Sequence, residues 1–301
     1  MLESGLGSDI KKVGCQPQTC LTRAVTQKTQ VDVVTAKAES DNDAPGPSKH
    51  FHPCGLLVSA AAQDEWELAV HAGVDWIDLK DPRRGPLGRP DLGLARDFAQ
   101  RMRSLPEYRW SIAGGELDAW RHDSDEAFCR ILGDSGAIKW ALAGCADKPN
   151  WKSKVADCAR ALPGSHQAIL VHYADHRDCN APTWGSVLEA ACQSQLRYVL
   201  IDTAVKDGRG LFDHLSCDSL QSMITQARWM GLEVAIAGSL RLDQLAMGPR
   251  VQAAWVGVRG AVCDGADRTS HFHQDNLRQA VAIMRGCRAT GKQRESMHVL
   301  R

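Results

Sequence analysis

Lys80, Lys139 and Lys206 lie in or just after three separate apolar runs, WIDLK, AIKWALAG and YVLIDTAVKDG. From residue 51 onward the chain holds seven lysines against 23 arginines, so these amines stand out from the cations around them. A guanidinium stays protonated at any working pH. An amine that is desolvated, or set beside another cation, can lose its proton and attack a carbonyl carbon. Asp78 sits two residues before Lys80, and alternation along a strand points both side chains the same way. Asp202 precedes Lys206 by four residues. Carboxylates and amines sharing one interior predict imine chemistry on a carbonyl compound. Taken singly, each lysine reads more plainly as a rim cation paired with a nearby aspartate. That reading weakens if the three occupy alternate strands of one closed sheet.

The elements needed to hold them are visible as short apolar runs. These are GLLVSAA (55–61), WIDLK (76–80), RWSIAGG (109–115), AIKWALAG (137–144), AILVHYAD (168–175), YVLIDTA (198–204), LEVAIAG (232–238) and AAWVGVRG (253–260). Between them lie helical stretches at 64–72, 92–103, 125–132, 151–162, 184–193 and 218–230, a short one at 242–247, and a last one at 274–285. Eight β–α units over this length predict a (β/α)8 TIM barrel of class α/β, with Lys80, Lys139 and Lys206 on or after strands two, four and six. The competing open doubly wound sheet more often carries a glycine-rich dinucleotide turn after its first strand, and VSAAAQDEW has none.

In such a barrel the C-terminal strand ends carry the chemistry. The exits AIAGSL and VGVRGAVCDG place Gly238, Ser239, Arg259 and Gly260 where backbone N–H groups can hold a phosphate. The loop DPRRGPLGRP (81–90) reads either as an ordinary turn or as a lid offering Arg83 or Arg84 to a second phosphate. His172 and His176 sit at a strand end with helical spacing, which disfavours a metal pair, and no metal is expected. The histidines of HFH (271–273) are expected at the surface, and the nine tryptophans are expected in packing.

Composition sets the outer limits. A formal net charge of zero with no basic cluster argues against nucleic-acid binding. No run approaches ~18 apolar residues, so no membrane span is expected. The N-terminus lacks an apolar signal core, which predicts a cytoplasmic protein. Eleven scattered cysteines without a C-x-x-C pair suit reduced thiols. Residues 1–50 are polar and are expected to be mostly disordered, with a short strand at QVDVVT (30–35). The catalytic barrel is expected over 51–290 and a polar tail over 291–301. Barrels commonly self-associate, so a homo-oligomer is allowed.

The segments LLVSAA, DLKDPRRGPLG, IKWALAG, YAD, LIDTAVKDGRGLFD, AIAGSL and VGVRGAVCDGADR, in that order over about residues 55–285, resemble the (5-formylfuran-3-yl)methyl phosphate synthase family. The resemblance implies a barrel related to class I aldolases. It implies a lyase that condenses two molecules of glyceraldehyde 3-phosphate into a furan aldehyde phosphate, losing phosphate and water, on the way to methanofuran. It implies Lys80 as the Schiff-base lysine, Lys139 as the proton acceptor, and Lys206, Asp78 and Asp202 as further active-site groups. No metal or organic cofactor is implied. One departure is the third strand exit, GGELDAW, where relatives tend to carry a G-D segment. On the residues alone two other readings stay open. One is a simpler class I aldolase or isomerase on triose phosphates. The other is a non-catalytic phosphosugar-binding subunit of a one-carbon enzyme assembly.

Overall fold

The computed structural model describes residues 53–164 and 168–299. The extension expected over 1–50 and its strand at 30–35 lie outside the described residues. Eight strands form a closed barrel in chain order: β1 (Gly55–Ala60), β2 (Trp76–Leu79), β3 (Arg109–Glu116), β4 (Ala137–Ala141), β5 (Ala168–Tyr173), β6 (Tyr198–Asp202), β7 (Glu233–Ile236) and β8 (Trp255–Val258). Every neighbouring pair is parallel, and β8 returns to β1. β1, β2, β4, β5 and β6 are buried along their whole length, as strands covered on both faces must be.

Helices follow the strands: α1 (Gln63–Ala72), α2 (Leu92–Arg103), α3 (His122–Leu132), α4 (Trp151–Arg160), α5 (Trp184–Gln193), α6 (Leu211–His214), α7 (Cys217–Trp229), α8 (Met247–Arg250) and α9 (Gln274–Val299). α2 buries Ala95, Phe98, Ala99 and Met102, a stripe at helical spacing, against the barrel. α7 starts on Ser216, whose hydroxyl accepts the Ser219 N–H at 3.2 Å. Two things differ from the sequence expectation. α6 is an extra single turn after β6, and α9 continues to Val299, through most of the segment expected as a polar tail. Among the described residues no helix is long and apolar enough to cross a membrane.

Two apolar layers result. The outer one, between strands and helices, contains Trp66, Phe98 and Trp110, whose rings pack at 5.3 and 5.8 Å. The inner one fills the barrel with Leu57, Trp76, Ile169, Val171, Leu200 and Ala235. At the N-terminal end of the strands, Trp76 packs edge-on against Trp255 at 5.0 Å and Tyr198 at 5.4 Å. Arg109 caps this group: its Nη1 donates to the Tyr198 hydroxyl at 2.6 Å and its guanidinium lies over Trp255 at 5.4 Å. The barrel thus has an aromatic floor, and its polar side chains gather at the opposite end.

One buried ion pair joins the last strand to the first helix. Glu65 and Arg259 are almost fully buried and meet at 2.8 Å, and Glu65 also accepts the Ala61 N–H at 2.6 Å. This pair ties the β8 exit to the β1–α1 turn, where the barrel closes.

Candidate active site

Above the inner apolar layer the strand ends enclose a cavity of about 820 Å³, lined among others by Lys80, Lys139, Asp202, Lys206 and Arg268. Asp78 does not line it but pairs with Lys139, which does. Its carboxylate has no exposure and accepts hydrogen bonds from Ser59 at 2.9 Å and Ser111 at 2.7 Å. The same carboxylate meets the Lys139 Nζ at 2.7 Å. Ser59, Asp78 and Ser111 are register partners on β1, β2 and β3, and Lys139 joins them from β4, where its own partner is Ala113.

Asp202 ends β6. Its Oδ1 accepts the Thr203 N–H at 2.7 Å and the Lys206 Nζ at 3.3 Å. Lys206 is held further by the Thr203 carbonyl at 2.7 Å and hydroxyl at 2.9 Å. Asp175, at the β5 exit, shapes this turn: its two oxygens accept the N–H groups of Ala204 and Val205, both at 2.8 Å. Burial pushes the Asp202 carboxyl up, but Lys206, Lys80 and the Thr203 N–H together outweigh it and hold the group below its ordinary range.

Lys80 differs from the other two amines. Lys139 and Lys206 each face a carboxylate, whereas among the described residues no carboxylate lies within ion-pair distance of Lys80. Its one hydrogen bond is a long 3.5 Å contact to the Pro86 carbonyl. Desolvation lowers its pKa to about 7; Asp202 and Asp78 oppose the shift, and Lys139 and Lys206 add to it. A large fraction of this amine is therefore neutral near pH 7, the form that attacks a carbonyl.

Gly238 and Ser239 turn the chain after β7, and Arg259 and Gly260 do so after β8. Gly238 has φ of +108°, and a Cβ there would lie 3.0 Å from the Thr203 Cγ2 and 3.2 Å from its nitrogen. Only glycine allows this approach to the turn that carries Lys206. Among the described residues the Gly238 and Ser239 N–H groups have no protein acceptor. The guanidinium of Arg259 is committed elsewhere. All five of its N–H groups are spent: on Glu65 twice, and on the carbonyls of Ser59, Arg268 and Ser270. Only its backbone faces the question of anion binding.

Of the two readings open for the 81–90 loop, its arginines fit the ordinary turn. Arg84 is exposed and pairs with Asp81 at 3.2 Å and Asp91 at 3.1 Å, and Arg83 is exposed. What the loop turns towards the barrel is the buried Leu87 and the carbonyls of Gly85 and Pro86. A Cβ on Gly88 would sit 2.0 Å from the Asp81 carbonyl, so the loop closes on itself only with glycine there. His172 points outward, its ring 5.4 Å from both Trp184 and His176, and burial first, then His176, lowers its pKa to about 4. It is a neutral packing residue. His271 and His273 are exposed, while Phe272 between them is buried.

Three groups lay outside the expected set. Arg268 lines the cavity from the loop after β8. Glu116, half-buried, pairs with the buried Tyr173 at 2.9 Å, with the second Glu116 carboxylate oxygen accepting the Ala143 N–H at 2.7 Å. A bulge in β3 between Ala113 and Glu116 inserts one residue against β4 and re-aims Glu116 to reach both. Burial raises the Glu116 carboxyl above its ordinary range, against the opposing hydrogen bonds. The GG of GGELDAW was the available signal for that bulge.

A family model described as 4-HFC-P synthase matches residues 56–281. The chain is 33% identical to the (5-formylfuran-3-yl)methyl phosphate synthase of Methanopyrus kandleri, over 75% of this chain and 97% of that one. It is 30% identical to the protein of the same name from Methanothermobacter thermautotrophicus, over 76% of this chain and 98% of that one. Among solved structures, 3-hexulose-6-phosphate synthase from Salmonella typhimurium superimposes with a TM-score of 0.54 at 12% identity, covering 77% of this chain and 99% of that one. TrpF from Jonesia denitrificans gives 0.52 at 12% identity, covering 78% and 98%. These two likenesses concern the fold alone.

Proposed function

This chain belongs to the 4-HFC-P synthase family, and from that membership we propose that it condenses two molecules of glyceraldehyde 3-phosphate into (5-formylfuran-3-yl)methyl phosphate through an imine on Lys80. The atom balance releases one phosphate and two molecules of water. Lys80, as the neutral amine, adds to the aldehyde carbon of one triose phosphate, and loss of water gives the iminium. The iminium draws electrons from the adjacent C–H bond, which becomes acidic. Lys139, oriented by Asp78, takes that proton, and carbon–carbon bond formation with the second molecule follows from the enamine so formed. Lys206, with Asp202, moves protons during ring closure and the eliminations. One substrate phosphate is held by the backbone N–H groups of Gly238, Ser239, Arg259 and Gly260.

The observation that carries this reading is the unpaired, desolvated amine of Lys80 in a cavity whose other two lysines are each matched by an aspartate. A pure binding protein gains nothing from leaving that one amine without a carboxylate. Borohydride reduction in the presence of glyceraldehyde 3-phosphate should fix a mass adduct on Lys80, and the untreated reaction should yield a furan chromophore. An adduct mapping to Lys139 or Lys206, or full turnover by Lys80→Ala, would refute the assignment. An adduct without a furan would indicate a simpler aldolase or isomerase.

A further inference from the structure

Arg268 is a cation of the cavity wall for which the reaction above supplies no task. It leaves the loop after β8 and reaches the loop after β2, where its Nη2 donates to the Gly85 carbonyl at 2.8 Å. Because the barrel order runs β8, β1, β2, the side chain crosses above the end of β1. The neighbouring carbonyl, that of Pro86, is the one Lys80 touches. The guanidinium and the Lys80 amine therefore approach the same two residues of one loop.

Its main chain is fixed. The Arg268 carbonyl accepts from the buried Arg259 at 2.5 Å, and the carboxylate of Asp267 beside it accepts the Thr269 N–H at 2.9 Å. Its head is not: among the described residues no carboxylate pairs with Arg268, and Gly85 takes a single one of its N–H groups. Burial pushes its pKa down, with Asp202 working against that, yet a guanidinium remains charged. The balance of charge is also telling. Lys80, Lys139, Lys206 and Arg268 line the cavity with Asp202, while Asp78 is fully buried against Lys139. Of the rim charges, Arg241 pairs with Asp243 at 3.2 Å, and Asp267 is taken up by Thr269 and Ser270. Such an interior favours anions, and a planar fork of unspent donors matches a phosphate bidentately.

We propose that Arg268 is a specificity-determining residue that binds a substrate phosphate at a second anion subsite, separate from the backbone turn after β7 and β8. This rests on the reading that two phosphorylated trioses share the cavity. Two phosphates need two subsites, and the backbone turn supplies one. Through Gly85 the same guanidinium holds the 81–90 loop in place while it binds.

The test begins without turnover. Isothermal titration of the full chain with inorganic phosphate should show two binding events, and Arg268→Gln should lose one of them or weaken it by about tenfold or more. Arg268→Lys should weaken it less. Borohydride trapping then asks about selectivity: Arg268→Gln should lower the adduct yield with glyceraldehyde 3-phosphate while leaving that with unphosphorylated glyceraldehyde at the wild-type level. The subsite is overturned if wild type binds fewer than two phosphates, if Arg268→Gln binds them unchanged, or if trapping of both trioses falls equally. If wild type forms no furan but the phosphate titration behaves as stated, the proposed function falls and the anion subsite stands.

Discussion

At the scale of single residues, the proposed imine chemistry predicts an acid limb set by Lys80. Its pKa of about 7 lies below that of an ordinary amine, and protonation removes the lone pair that attacks the carbonyl. We expect kcat/KM to rise as pH increases through about 7 and then level off, measured by phosphate release across a pH series. Asp202, held below its ordinary range, stays ionised throughout and contributes no limb there. A limb centred near 10 would mean that Lys80 is an ordinary exposed amine. The scarcity of lysine in this chain makes these residues stand out in the sequence itself. What composition does not reveal is that they are unequal. The difference between Lys80 and its two neighbours arises from which aspartate each amine meets, and that is a matter of register. Arg268 is hidden for the opposite reason. It is one arginine among 23 after residue 50, in a loop with no periodic pattern to aim it.

At the scale of elements, the eight strands were legible because strands covered on both faces are short continuous apolar runs. Their exits were legible only in part. Glycines after β7 signalled a tight turn, but not that Gly238 would press against Thr203 and so brace the turn bearing Lys206. Gly238→Ala should push the two turns apart. Because small displacements of positioned groups are costly, kcat/KM should fall by about 10²-fold with the far-ultraviolet circular dichroism spectrum unchanged. An alanine variant with wild-type kinetics would show that the two turns are independent. The 81–90 loop was legible as a distinct unit, either a turn or a lid, but which of its groups face inward was not. Asp81 and Asp91 flank Arg84 in sequence and capture it locally, so the loop instead presents Leu87 and two carbonyls inward.

At the scale of the whole molecule, the Glu65–Arg259 pair holds the point where the barrel closes. Arginine after β8 suggested an anion contact, and nothing in sequence linked it to a glutamate 194 residues earlier. Glu65→Gln leaves a buried guanidinium without its counter-charge, a change that costs about 3–5 kcal/mol. Thermal denaturation should show a Tm lower by roughly 10 °C. A shift of a degree or two would mean that the carbonyls of Ser59, Arg268 and Ser270 satisfy Arg259 on their own.

The aromatic floor of Trp76, Tyr198, Trp255 and Arg109 has a consequence for traffic. Under the proposed condensation, both trioses enter at the C-terminal strand ends, where Leu87 of the 81–90 loop lines the cavity, and phosphate, water and the furan leave by the same end. Arrival and departure then compete for one passage.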